Sequence, residues 1–352
     1  MGNNNLIVIN KEELNSEYVK NRIIEEKEAK RDLNQAERIP VQNNILLNPI
    51  FYTAFCGLIA AILGWAISEP IVSKNHGYLL ILPVCIVAFL CSSISSIDSF
   101  LSGNFIKGFI KSAIGLGLGL VWGLIGTLIA GYFISFLRDI VSIAIPPDLK
   151  ADGQTIELTF KSAVFAMITR APGWTLIGIG AGIIPGISNF SVKLTINGII
   201  GGMLGGFIGG VIFDPIAFSM GNTSAVLSRG VGFGALSVCI GFFVGLVENI
   251  AKDVWVTMKS GPLRGKQFVI YHNPTLIGSS PRSDIYIFKD PNVMPTHAKI
   301  QKKGSKYEII DNSQDKGVFV NSVRINGSKI LEAKDTIIVG KSILEFQQKE
   351  RR

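Results

Sequence analysis

The side chains with most to offer a ligand lie in the last hundred residues. Ser279, Ser280 and Arg282 fall in the run GSSPRSD, Thr296 precedes His297, and Lys316 precedes Gly317. Hydroxyls and cations gathered on loops suit an anion, because phosphates and carboxylates take charge-assisted hydrogen bonds. With Asn321 these make six candidate binding residues. No catalytic residue is expected. The chain has no Walker-type phosphate loop, no HExxH and no nucleophile elbow. His76, His272 and His297 are too few and too separated in sequence for a catalytic cluster. Cys56, Cys85, Cys91 and Cys239 sit in apolar runs without metal-site spacing, so no disulfide, metal or cofactor is expected.

These residues need a scaffold. From Val254 onward, short β-rich runs such as KQFVIY, DIYIF, HAKIQKK, KYEIID and SILEFQQ alternate with Gly, Pro, Asn, Asp or Lys turns. Many short strands at this spacing predict an all-β sandwich over 254–348. Val269, Ile277, Ile285, Ile300, Ile309, Val320 and Leu344 are the expected core. The sandwich contains no cysteine and should fold alone.

The rest of the chain has a different solvent. Only 17% of the 352 residues are charged and 48% are hydrophobic, against about 25% charged in an average soluble protein. Charges are scarce between Ile39 and Glu248 and dense after Lys252. A span needs about 20 apolar residues. Six stretches qualify: 39–68, 75–97, 112–137, 171–192, 194–213 and 230–247. The fourth is the weakest, because Pro172 and Pro185 bracket it; it is expected to be re-entrant or kinked. The reading is an α-helical multi-pass membrane domain over 46–250, carrying the sandwich behind it and a polar arm, 1–45, ahead of it.

The arm reads as a solvated helix over 11–38 with a short apolar face of Leu14, Tyr18, Ile23 and Ile24; a partner-binding or membrane-surface helix is the alternative. It lacks the apolar segment of a signal peptide. Six spans put both termini on one side, and the basic tail favours the cytoplasm. A cell-membrane protein with both ends cytoplasmic follows. The segment 138–170, with Arg138, Lys150, Lys161 and Arg170, then falls outside, against the rule. The net charge of +8 does not imply nucleic acid, since basic residues are interleaved with acids and no basic stripe with stacking aromatics appears.

Glycines recur every four residues at Gly115, Gly119 and Gly123, at Gly201, Gly205 and Gly209, and at Gly202, Gly206 and Gly210. That spacing lets helix backbones approach closely, either within one bundle or between copies in a homo-oligomer. RAPGWTLIGIGAGIIPG (170–186) and RGVGFGALSVCIGFFVG (229–245) align without gaps, pairing Arg170 with Arg229 and suggesting two related hairpins, 105–186 and 193–247. Arg170, Asp214, Arg229 and Glu248 all fall at span ends, and Asp214 in FDPIAF is placed to pair with either arginine.

Four landmarks in order, PTLIGSSPRSDIYI, NVMPTHAKI, DKGVFVNSVRI and DTIIVGKSILEF, resemble a forkhead-associated (FHA) domain. The resemblance covers about a quarter of the chain. It implies a sandwich whose end loops recognise phosphothreonine peptides. The family usually has an arginine after the first glycine, a serine three before the histidine and an asparagine before the second glycine. Here those positions hold Ser279, Met294 and Lys316. His297 and Asn321 match the pattern and read as loop braces. Taken with the spans, the resemblance implies a non-enzymatic, membrane-anchored adaptor presenting a recognition domain to a cytoplasmic protein or peptide. Its loops then serve as a phosphate-independent docking surface, with an altered phosphate or acidic-peptide site as their alternative use. The alternative is a transporter or channel regulated by this domain.

Overall fold

The computed structural model describes residues 16–38, 45–75, 79–144, 149–152, 155–158, 160–219 and 225–349. Leu14, His76 and Asp148 lie outside them. Two compact units divide the chain: Met1–Asn43 with Asp253–Arg352, and Asn44–Lys252.

The second unit is helical, with α2 (Pro49–Lys74), α3 (Ile81–Leu101), α4 (Phe105–Ala144), α5 (Phe160–Ser188), α6 (Val192–Ser219) and α7 (Ala225–Ala251). Each holds a stretch long and apolar enough to cross a membrane. The chain is a multi-pass membrane protein. Asn48 starts α2, its Oδ1 accepting from the Ile50 amide at 3.0 Å, with Pro49 at the first helical position. Each helix packs on its sequence neighbours and α2 also packs on α7, which closes the set into a ring; α3 reaches across to α5.

Two expectations need correcting. The fourth span is one helix and not a re-entrant segment, and it begins earlier, its apolar stretch running Val164–Ser188 with Pro172 and Pro185 inside. A proline forfeits one backbone hydrogen bond, a loss that neighbouring helices make tolerable in a bundle. The supposed loop 138–170 is mostly helix. Arg138 lies on α4 and Arg170 on α5, and between them stands an antiparallel hairpin of β1 (Leu149–Asp152) and β2 (Thr155–Leu158). With 40 residues, α4 is about 60 Å long, twice the hydrocarbon thickness of about 30 Å.

The glycine rows are filled from within. A Cβ on Gly202 would lie 2.1 Å from the Gly178 carbonyl oxygen of α5, and one on Gly198 2.0 Å from that of Gly182. Gly201 and Gly205 face Val244 and Ile240 of α7 in the same way, and Gly115, Gly119 and Gly123 face α3. These glycine contacts are thus made within one bundle.

The other unit is a two-sheet sandwich. Its strands are β3 (Val254–Ser260), β4 (Gln267–Val269), β5 (Thr275–Gly278), β6 (Ile285–Tyr286), β7 (Ala298–Lys303), β8 (Lys306–Asp311), β9 (Val318–Val320), β10 (Val323–Arg324), β11 (Ser328–Leu331), β12 (Thr336–Val339) and β13 (Ser342–Gln348). One sheet runs β10-β9-β12-β13-β3-β4 and the other β11-β8-β7-β5-β6. Ile277, Ile285, Ile300, Ile309, Val320 and Leu344 join the core between the sheets. Val269 does not: Phe268 points inward instead, and with a period of two the next residue must face out.

The arm forms α1 (Glu17–Arg38). It is not a wholly solvated helix. Ala29, Leu33 and Ala36 pack on Phe319, Ile338 and Ile343, on the outer face of the six-stranded sheet. The expected face failed because Tyr18, Ile23 and Ile24 are exposed. Small alanines let the helix lie close, a signal masked by the louder isoleucines.

Candidate functional site

Of the six candidates, Asn321 lies at the far end of β9, in the turn to β10. The other five lie on loops at one end of the sandwich, where β5 leads into the loop 279–284, β7 follows the loop 288–297 and Lys316 precedes β9. Gly278 makes this possible. A Cβ there would sit 2.1 Å from the Pro295 carbonyl oxygen, so only glycine lets the two loops touch. Their backbones then cross-bond, the Ser279 amide to the Met294 carbonyl at 3.0 Å and the Ser280 amide to that of Pro295 at 3.2 Å.

His297 ties these loops to the next. It is fully buried. Its Nε2 donates to the Gly317 carbonyl at 3.1 Å, while Nδ1 accepts from the Met294 amide at 3.1 Å. That pattern requires a neutral ring. Burial holds its pKa below the ordinary 6.5, against the opposing pull of the Gly317 carbonyl, Asp311 and Asp290. The third loop is held by Asp311 and Ser313, neither of which the sequence reading singled out. Asp311 Oδ2 accepts from the Val318 amide at 3.1 Å, and the Ser313 hydroxyl accepts from the Gly317 amide at 2.6 Å. The signal was Asp-x-Ser before a glycine with positive φ, here +74°.

The six candidates divide into two sets. Ser279 Oγ donates to the Val293 carbonyl at 2.8 Å and Ser280 Oγ accepts from the Arg282 amide at 3.2 Å. Asn321 donates to Asp335 at 2.8 Å and accepts from the Thr336 amide at 2.9 Å, fixing a turn in which its own φ is +55°. These three side chains are engaged by the protein itself. Arg282, Thr296 and Lys316 are exposed. They stand on three loops whose backbones are braced to one another.

Arg324 was missed entirely. It donates to Glu25 of α1 at 2.8 Å and to the Asp315 carbonyl at 3.0 Å, and its guanidinium lies under Gly317. Arg22 adds a bond to Asn326 at 2.9 Å. The arm thus grips the strand pair that follows the third loop.

In the helical unit, Asp214 is fully buried and pairs with Arg170 at 2.6 Å. Arg229 pairs instead with Glu69 of α2, Nε donating at 3.2 Å. Glu69 escaped notice, though Glu69-Pro70-Ile71 repeats Asp214-Pro215-Ile216. Among the described residues no group of three or more potential ligands is placed to hold a metal ion.

Comparison with known proteins now bears on this site. A family model described as the inner membrane component of T3SS, cytoplasmic domain, matches residues 258–350. An oxoglutarate dehydrogenase inhibitor of Corynebacterium jeikeium is 35% identical over 102 residues, 29% of this chain and 67% of that protein. Through its C-terminal sandwich, the chain belongs to the FHA domain family. The glycogen accumulation regulator GarA of Mycolicibacterium smegmatis is 30% identical over 91 residues, 26% of this chain and 56% of its own length. The cytoplasmic domain of the T3SS sorting platform protein PscD from P. aeruginosa aligns with 28% of this chain and 83% of its own, at 15% identity and a TM-score of 0.26. The family model lies wholly beyond the membrane helices. Within the FHA domain, His297 and Asn321 brace loops through the bonds described above.

Proposed function

We propose that this protein is a membrane-anchored adaptor whose FHA domain docks a cytoplasmic protein segment without the usual phosphothreonine anchors. The observation that carries this is the state of the loop end. The platform is fully braced by His297, Asp311 and Ser313, while the residue after Gly278 is a serine already bonded to the Val293 carbonyl. Charge-assisted bonds are worth about 1.5–3 kcal/mol each, and 1.4 kcal/mol is about tenfold in affinity. Losing an arginine and a serine together removes useful phosphate affinity. What stays exposed, Arg282, Thr296 and Lys316, suits an acidic or polar segment.

The relatives support the class of function. An inhibitor and a regulator share this domain, and neither description is of a catalyst. The backbone contacts between α5, α6 and α7 support a base that anchors rather than conducts. The packing of α1 on the sandwich supports placing both termini on the same side of the membrane. The family description and the basic tail favour the cytoplasmic side.

Affinity capture with the detergent-solubilised full chain tests this, using extract with and without phosphatase. Capture of the same partner in both, lost on Arg282→Glu with Lys316→Glu, is expected. Capture abolished by phosphatase would overturn it.

A further inference from the structure

The face of α1 that points away from the sandwich has its own pattern. Lys20, Ile24, Lys27, Arg31 and Arg38 recur at intervals of four, three, four and seven residues, and all five are exposed. At 3.6 residues per turn they form one stripe, opposite the Ala29, Leu33 and Ala36 that touch the sandwich. The stripe carries four cations and no acid. Glu25, Glu26 and Asp32 are half-buried on the sandwich side, and Glu17 and Glu28 flank the stripe on one edge. Ile24 sits within it 53% exposed, and Ile23 borders it at 42%.

We propose that this stripe is a docking surface for an anionic lipid bilayer, so that α1 lies between headgroups and the FHA domain. Three observations favour lipid over an acidic protein or a nucleic acid. The stripe combines cations with protruding isoleucine, the composition of a helix that rests in a headgroup layer. Polybasic segments beside spans are drawn to the negative cytoplasmic leaflet. The tether is short: only residues 39–48 separate Arg38 from Pro49, the first residue of the membrane helix α2. At 3.3–3.6 Å per residue that reach is at most about 40 Å. A bilayer surface is always within range, so even weak attraction acts at high effective concentration. The proposal is independent of what the FHA loops bind.

The test places a photo-cross-linking benzoylphenylalanine at Ile24 in the full chain. The protein is reconstituted in nanodiscs of phosphatidylcholine alone, or with phosphatidylserine. With phosphatidylserine, the lipid adduct should rise at least about tenfold and should fall as salt screens the stripe. Replacing Lys20, Lys27, Arg31 and Arg38 by Gln should abolish that rise. Slow hydrogen exchange over 25–36 would show α1 still docked on its sheet; if this protection is lost, Lys20→Gln with Lys27→Gln alone should reduce the rise. Equal adducts in both nanodiscs, no lipid adduct, or an adduct to another protein in native membranes would each overturn the proposal.

Discussion

The helical bundle and the FHA sandwich fill their interiors by opposite means. Between α5 and α6 the contact is backbone on backbone, with Gly182 against Gly198 and Gly178 against Gly202. Between the two sheets it is side chain on side chain, with Phe346, Met258 and Ile277 fully buried. The cause is the solvent. Lipid tails are as apolar as any side chain, so helices there gain mainly from close packing. Water rewards each apolar group removed from it, at roughly 25 cal/mol per Å². Adding an atom should therefore damage the first region and removing one the second.

That contrast can be broken at chosen positions. The largest effect is expected from Gly182→Val. A Cβ alone would lie 1.8 Å from the Gly198 carbonyl oxygen, and backbone has nowhere to move. The variant should fail to give a monodisperse detergent-solubilised protein on size exclusion. Gly117→Val is the control: nothing lies within 4 Å of its Cβ position, so the profile should be unchanged. Next comes Phe346→Ala, which empties the middle of the sandwich at a cost of about 3–5 kcal/mol. Its thermal unfolding, followed by the hydrogen exchange of β12 and β13, should shift down while the helices hold their protection.

The smallest effect sharpens the comparison at the loops. His297 is buried neutral with its pKa lowered. An imidazole that resists protonation when folded accepts a proton more readily when unfolded. Its contribution is whole above the unfolded value of about 6.5 and is lost as pH falls through that value toward the lowered one. Loop protection over 293–297 and 313–317 should therefore weaken below that pH. His297→Gln should remove this dependence, and an unchanged slope would assign it elsewhere.

Much of the architecture could be read in the residues, for reasons that differ by region. Spans declare themselves through 20-residue apolar runs, and the sandwich through its alternation and its four ordered landmarks. Boundaries set by prolines did not: Pro172 looked like a helix edge, yet lies within α5, because membrane helices tolerate the hydrogen bond a proline forfeits. At the loop end, types and positions were legible but engagement was not. Nothing in GSSPRSD shows that the Ser279 hydroxyl is bonded to Val293, or that Asn321 is held by Asp335 and Thr336. Arg324 was invisible for another reason. Its partners Glu25 and Asp315 are brought to it only by α1 and the third loop, across 299 and 9 positions of sequence.

The central claim is that this FHA domain keeps its braced loops but has lost its phosphothreonine anchors. Calorimetric titration of the full chain with matched phosphorylated and unphosphorylated threonine peptides tests it most directly. Wild type should bind the two forms alike. The variant carrying Ser279→Arg, Met294→Ser and Lys316→Asn should favour the phosphorylated form by at least about tenfold, about 1.4 kcal/mol. Wild-type preference for the phosphorylated form, lost in Arg282→Ala or Lys316→Ala, would contradict the account and show a rebuilt phosphate site.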